Sequence, residues 1–96
     1  MQFVVIGTVR PNATPQIVQN AIRRYSTWKP PQDLKVVSSL SAVDHQRVFQ
    51  IVETENANSI YESTLAFSDC LEFEVVAVQN SAQSVPTALK VLGATY

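Results

Sequence analysis

The sequence is short of several things at once. Its 96 residues include one cysteine, Cys70, one histidine, His45, and two glycines, Gly7 and Gly93. A single cysteine excludes an intrachain disulfide framework and every multi-cysteine zinc site, and a single histidine excludes a histidine metal pair. A lone thiol suits a reducing compartment. Two isolated glycines cannot build a glycine-rich phosphate loop, which removes the usual nucleotide motifs and, with them, the expectation of a charged cofactor. Seven Lys and Arg against eight Asp and Glu leave a net charge of −1 and no basic footprint for a phosphate backbone, so nucleic acid is not the expected partner. No apolar run is long enough to span a membrane. The run after Met1, Gln2-Phe3-Val4-Val5-Ile6, has no basic flank and stops at Gly7 without a cleavage-like ending. The expectation is a cytoplasmic protein in which the Asn12-Ala13-Thr14 sequon is accidental.

What the chain does have is apolar residues, 46% of the total, in a length that fits one domain over residues 1–96. Phe3 to Val9 is a β-branched run ended by Arg10-Pro11-Asn12 and reads as a strand. It is apolar on both faces, with Phe3, Val5 and Val9 on one and Val4 and Ile6 on the other, so it belongs in the middle of a sheet covered on two sides. Thr14-Pro15 opens a helix, the hydroxyl capping free N–H groups and proline sitting where its missing donor is not needed. Ile17, Ala21, Tyr25 and Trp28 form its stripe, widened by Val18 and Ile22, and the helix ends before Pro30-Pro31.

Leu34 to Val43 and Gln46 to Glu53 read as two strands joined at Asp44-His45 by a tight hairpin or a longer, bulged loop. Asn56 caps a second helix with Ala57, Ile60, Tyr61, Thr64 and Phe67 along its inner stripe, and Ser68-Asp69 breaks it. Leu71 to Gln79 is a fourth strand, with Leu71, Phe73, Val75 and Ala77 opposite Glu72, Glu74, Val76 and Val78. A short third helix starts at Ser84, accommodates Pro86 in its first turn and stops at Gly93. The order is β-α-β-β-α-β with a C-terminal helix, the split βαβ or ferredoxin-like arrangement of the α+β class. Both long helices then fall on one face of the sheet while the other face stays apolar, and a copy of the chain is the simplest cover for it.

Several segments carry a resemblance: Trp28-x-Pro30-Pro31, Leu34-Lys35-Val36, Phe49-Gln50-Ile51-Val52-Glu53-Thr54, Phe67-Ser68-Asp69 and Leu71-Glu72-Phe73-Glu74-Val75. Over about residues 28 to 79 the chain resembles an uncharacterised domain-of-unknown-function family of short bacterial proteins in the dimeric α+β barrel superfamily. The resemblance implies a fold and a homodimer; it implies no reaction. Barrel relatives that degrade haem or oxidise aromatics place histidine, asparagine and tryptophan on the first strand and second helix. Here there is no asparagine between Met1 and Arg10, and the second helix has neither histidine nor tryptophan, so that chemistry does not carry over.

The remaining candidates are few, and no catalytic residue is assigned. His45 in a hairpin reads as an exposed turn histidine, since a general base needs a pocket and an orienting partner. Glu53, Glu72 and Glu74 could group as carboxylates, but they read first as solvent-facing or helix-end positions. Arg23, Arg24, Lys29 and Lys35 read as a solvated face. Gln50, between Phe49 and Ile51, must find hydrogen bonds across the sheet or across a dimer, because an unpartnered buried amide is costly. Cys70 lacks a basic neighbour and reads as packing. Tyr25, Trp28, Tyr61 and Phe67 gather at the inner faces of the helices, as core or as the walls of a pocket for a small, largely apolar ligand. The favoured expectation is a non-catalytic dimeric binding or interaction module; the alternative is a cofactor-independent monooxygenase or isomerase acting on a small aromatic or lactone-like compound.

Overall fold

The computed structural model describes residues 1–93. It is an α+β chain of seven elements: β1 (Gln2–Val9), α1 (Pro15–Thr27), β2 (Lys35–Ser41), β3 (Arg47–Glu53), α2 (Ala57–Leu65), β4 (Leu71–Val78) and α3 (Ser81–Leu92). The strands form one antiparallel sheet in the order β2-β3-β1-β4, compatible with a ferredoxin-like arrangement. No helix is long and apolar enough to cross a membrane among the described residues.

Register divides the sheet residues between two faces. Phe3, Val5 and Gly7 of β1 stand level with Val52, Gln50 and Val48 of β3 and with Ala77, Val75 and Phe73 of β4. This set faces the helices: Val5 and Val52 are buried with Leu34 and Ile60, and Phe3, Val36 and Phe73 pack on that cluster. Gly7 has no side chain where Val48, Leu71 and Phe73 close in; a Cβ there would stand 3.0–3.1 Å from all three. The alternate set, Val4, Ile6, Leu40, Phe49, Ile51, Val76 and Val78, lies on the face without a helix, as the alternation requires. Leu40 is 60% exposed there.

Local chemistry sets the element ends. Thr14 Oγ1 accepts from the Ile17 N–H at 3.2 Å and Pro15 occupies the first helical position of α1. Asn56 Oδ1 accepts from the Asn58 N–H at 3.0 Å at the start of α2. Asp33 ties that start to the chain entering β2, accepting from Asn56 Nδ2 at 3.0 Å and from the Ser59 hydroxyl.

Several expectations are corrected. β2 runs from Lys35 to Ser41 rather than 34–43: Leu34 turns into the core, a bulge falls between Val36 and Ser38, and Ala42 already donates across the hairpin to Arg47 O. The hairpin is the longer, bulged kind, with His45 at φ 66° and Asp44 Oδ1 accepting from the Gln46 N–H. α3 begins at Ser81, not Ser84, because Asn80 Oδ1 caps the Ala82 N–H at 2.7 Å; Pro86 therefore lies inside the helix rather than in its first turn. On α2, Ser59 and Ile60 are buried and Ser63 and Thr64 partly so, whereas Tyr61 is 64% exposed and Ala57 is exposed as well.

Candidate ligand-binding cleft

The buried side chains form two separate clusters. Val5, Leu34, Val52 and Ile60 make one; Ala21, Phe67 and Cys70 make the other, with Ile17, Val18, Trp28 and Leu71 packed against it. Phe73 packs on both. A cavity of about 470 Å³ is lined by members of both clusters, so the space between helices and sheet is left partly unfilled. Its walls are Val18, Ala21 and Tyr25 of α1, and Ile60 of α2 with Phe67 beyond it. Val5, Val48, Val52 and Phe73 contribute from the sheet, and Ala42 and His45 from the β2–β3 hairpin.

Three of the four aromatic residues singled out in the sequence meet here. Tyr25 and Trp28 stack at 6.2 Å between ring centroids with 23° between planes. Phe67 meets Trp28 edge-on at 5.5 Å and 81°, and Tyr25 at 5.9 Å. The first is a stacked pair, the Trp28–Phe67 pair sets ring edge against ring face, and Tyr25–Phe67 is tilted between the two. The fourth, Tyr61, is not among the lining residues and stands exposed on the outer side of α2.

The turn that presents Phe67 is held by two arginines. Arg24 donates to Ala66 O at 2.8 Å and, through both terminal nitrogens, to the two carboxylate oxygens of Asp69 at 3.0 and 3.1 Å; its guanidinium lies 5.7 Å from the Phe67 ring centroid. Arg10 donates from Nε to Ser68 O at 2.7 Å. Charge-assisted paired hydrogen bonds of this kind fix geometry as well as adding energy. They hold the Asp69 carboxyl below the ordinary carboxylate range, and Asp69 raises Arg24 in turn. Arg24 is thus a clamp between α1 and the end of α2, not part of a solvated face. Burial pushes the Cys70 thiol up, with Asp69 adding to the effect, and its side chain packs with Ala21 and Phe67.

The cleft carries one polar constellation that spans helix and sheet. Gln50 Nε2 donates to Tyr25 Oη at 3.2 Å, and Tyr25 Oη lies 3.4 Å from Ser39 Oγ. Gln50 therefore finds its partner on α1 rather than across the sheet. With its oxygen accepting from Gln50, the Tyr25 hydroxyl retains a proton to donate, to Ser39 or to a bound oxygen, and Gln50 keeps its carbonyl as an acceptor. The hydroxyls that α2 contributes to the wall are turned back on their own helix: Ser63 donates to Ser59 O at 2.8 Å and Thr64 to Tyr61 O at 3.1 Å. The Arg47 guanidinium is held 5.8 Å from the centroid of the Phe49 ring, on the opposite face of the sheet.

The three glutamates do not assemble. Glu53 stands level with Gln2 and hence with Val78, four residues along β4 from Glu74, while Glu72 pairs with Arg10 at 3.4 Å. No group of His, Cys, Asp and Glu suited to a metal ion occurs among the described residues. Sequence reasoning missed Ser39, Ser41 and the hairpin end of the cleft; a signal for the serines is their small size on the helix-facing side of a strand that otherwise alternates apolar.

The family described as Domain of unknown function (DUF3303) matches residues 1–92. No curated protein matches the chain.

Proposed function

We propose, for a chain that belongs to the DUF3303 family, a role as a small-molecule binding module that works as a homodimer. The observation that carries the reading is the unfilled, mostly apolar space of about 470 Å³ between two core clusters, crossed at one point by the Tyr25, Gln50 and Ser39 polar groups. Its volume is in the range of small-molecule sites, which are typically apolar with a few convergent polar atoms. The ligand is a small, largely apolar molecule lying against Tyr25, Trp28 and Phe67, with a hydrogen-bonding oxygen directed at Tyr25. A tyrosine hydroxyl, an amide and a serine bind and orient such an oxygen but are poorly suited to withdrawing a proton from a carbon. His45 also lines the cleft, but among the described residues no side chain orients its imidazole, which favours binding over the monooxygenase or isomerase reading.

The homodimer is supported by the second face of the sheet, where, among the described residues, no helix covers Val4, Ile6, Leu40, Phe49, Ile51 and Val76. Two such sheets packed face to face about a two-fold axis make a dimeric α+β barrel.

Trp28 is the single tryptophan and lies in the cleft wall, so its fluorescence reports directly. Titration with neutral aromatics and fatty acids is expected to quench or shift its emission for at least one compound, saturably. Tight binding of nucleotides or divalent metal ions with no response to any apolar compound overturns the reading.

A further inference from the structure

α3 follows β4 after two residues and packs on little of its own chain. Of Ser81–Leu92, Ser84 alone is partly buried; Val85, Leu89 and Leu92, spaced by four and three along one stripe, are each at least half exposed. Helices of about twelve residues are marginal in water without a surface to pack on. α3 has that length and carries Pro86 in its interior, which removes one backbone donor and crowds the carbonyl of Ala82. A helix with this sequence needs a partner surface to persist.

The whole chain shows the same shortage of contact. Its accessible surface is 7058 Å², against roughly 5,500 Å² for a compact monomer of this mass. Its radius of gyration is 16.5 Å, against about 12.5 Å for a globule of this length. The surplus of about 1,600 Å² per chain, counted over two chains, falls within the roughly 2,000–5,000 Å² of obligate homodimers and well above incidental contacts.

We propose that α3 is an exchanged arm whose Val85, Leu89 and Leu92 stripe lies on the helix-free sheet face of a second copy of this chain. The receiving row is Leu40, Phe49 and Ile6, which cross-strand register places side by side. That row continues on β4 to Glu74, opposite in charge to Lys90, the one charged residue of α3, while the Arg47 guanidinium lies on the same face 5.8 Å from the Phe49 ring, so the pairing requires the Lys90 end of the arm to lie toward β4. The inference rests on the homodimer reading and divides its interface: the Leu40, Phe49 and Ile6 row takes the partner's arm, and the neighbouring Val4, Ile51 and Val76 row meets the partner's sheet.

The test uses the full chain and the double substitution V85A/L89A. Alanine is a better helix former than valine and no worse than leucine, so in an arm standing alone these changes leave helical order equal or higher. In a docked arm they remove the contact. Hydrogen exchange over residues 81–92 is expected to show protection that rises with protein concentration between about 1 and 100 μM in the parent chain, by mass action. In V85A/L89A that protection is expected to fall, with a dimer dissociation constant raised at least about 100-fold, since each dimer contains two arms. Unchanged Trp28 emission verifies that the body of the fold is intact. A variant that dimerises as before with α3 equally protected overturns the arm and leaves the sheet-face dimer standing. A parent chain monomeric at the highest concentration overturns both. Protection that does not depend on concentration, or that appears only with phosphatidylcholine vesicles, assigns the stripe to its own chain or to lipid and also overturns the proposal.

Discussion

Replacing Phe67 with alanine tests whether the aromatic wall of the cleft is packed structure. The ring is 7% exposed and meets Tyr25, Trp28 and the Arg24 guanidinium, each at under 6 Å between centres. Losing its transfer from water costs about 1.5–3 kcal/mol. Each aromatic pairing adds about 0.5–1.5 kcal/mol beyond area. The sum agrees with the roughly 3–5 kcal/mol observed for buried Phe→Ala changes in general. Here the void opens into a space that already exists, so neighbours lose contact on one side only, and we expect the lower part of that range, about 3 kcal/mol. Against a total stability of about 5–15 kcal/mol for a domain, this is a large fraction. The assay is urea unfolding followed by Trp28 emission and circular dichroism, at one fixed protein concentration so that association does not shift the midpoint. Phe67→Leu, which keeps most of the volume, is expected to cost less than about 1.5 kcal/mol. A Phe67→Ala loss below about 1 kcal/mol refutes the packing argument and, with it, the placement of Phe67 as a wall.

Two further outcomes follow from the polar contacts. Asp69, paired with Arg24, and Asp33, bonded to Ser59 and Asn56, both have carboxyls held below the ordinary range, so folding gains from each ionised form. That gain is complete above the unfolded carboxylate range and is lost as pH falls below about 4 through the folded values, so Asp69→Asn and Asp33→Asn should each flatten the acid limb of a stability-against-pH curve while leaving the neutral-to-basic limb unchanged in shape. An acid limb as steep as the parent's would show that these contacts do not persist in solution. Tyr25→Phe removes the acceptor of Gln50 at a cost of about 1 kcal/mol or less, given its partial exposure, and should weaken any oxygen-bearing ligand found by Trp28 titration more than a pure hydrocarbon of similar size. Equal weakening of both would place the ligand's oxygen elsewhere.

Much of the architecture was legible because local signals agreed with one another. The Thr14-Pro15 start, the Asn56 cap, and the period-two alternation of β1 and β4 each have a physical cause confined to a few residues. The sequence signals were weaker where a distant partner decides the outcome. Arg24 looked like one of several surface cations, yet its carbonyl and carboxylate acceptors are supplied 42 and 45 residues away. Ile60 and Tyr61 were both expected on the inner stripe of α2, but adjacent helical residues lie about 100° apart, and the buried side falls on Ser59 and Ile60, which leaves Tyr61 outside. At Asn80 the sequence offers a capping side chain four residues before Ser84, and Pro86, which suits a first turn, points to a later start than the one the Asn80 cap sets. Gln50 was marked as needing a partner, but periodicity cannot say that the partner is a tyrosine on a helix.

The open cleft has a compositional cause. On the helix-facing side, the end of β2 offers Ser39, the middle of β3 offers Gln50, and α2 offers Ser63, where a filled core would carry branched aliphatics. Small and polar residues at these positions leave volume unfilled, and the voids cost dispersion contacts that a chain of this size has few of. The largest side chains, Tyr25, Trp28 and Phe67, are meanwhile spent on one wall, braced against each other and against Arg24 rather than interdigitated with the sheet. Apolar surface is likewise distributed over the helix-free face and α3 instead of being gathered into one centre. With apolar surface left in the cleft, on the helix-free face and on α3, the proposed second copy covers the outer two and the proposed small molecule the inner one.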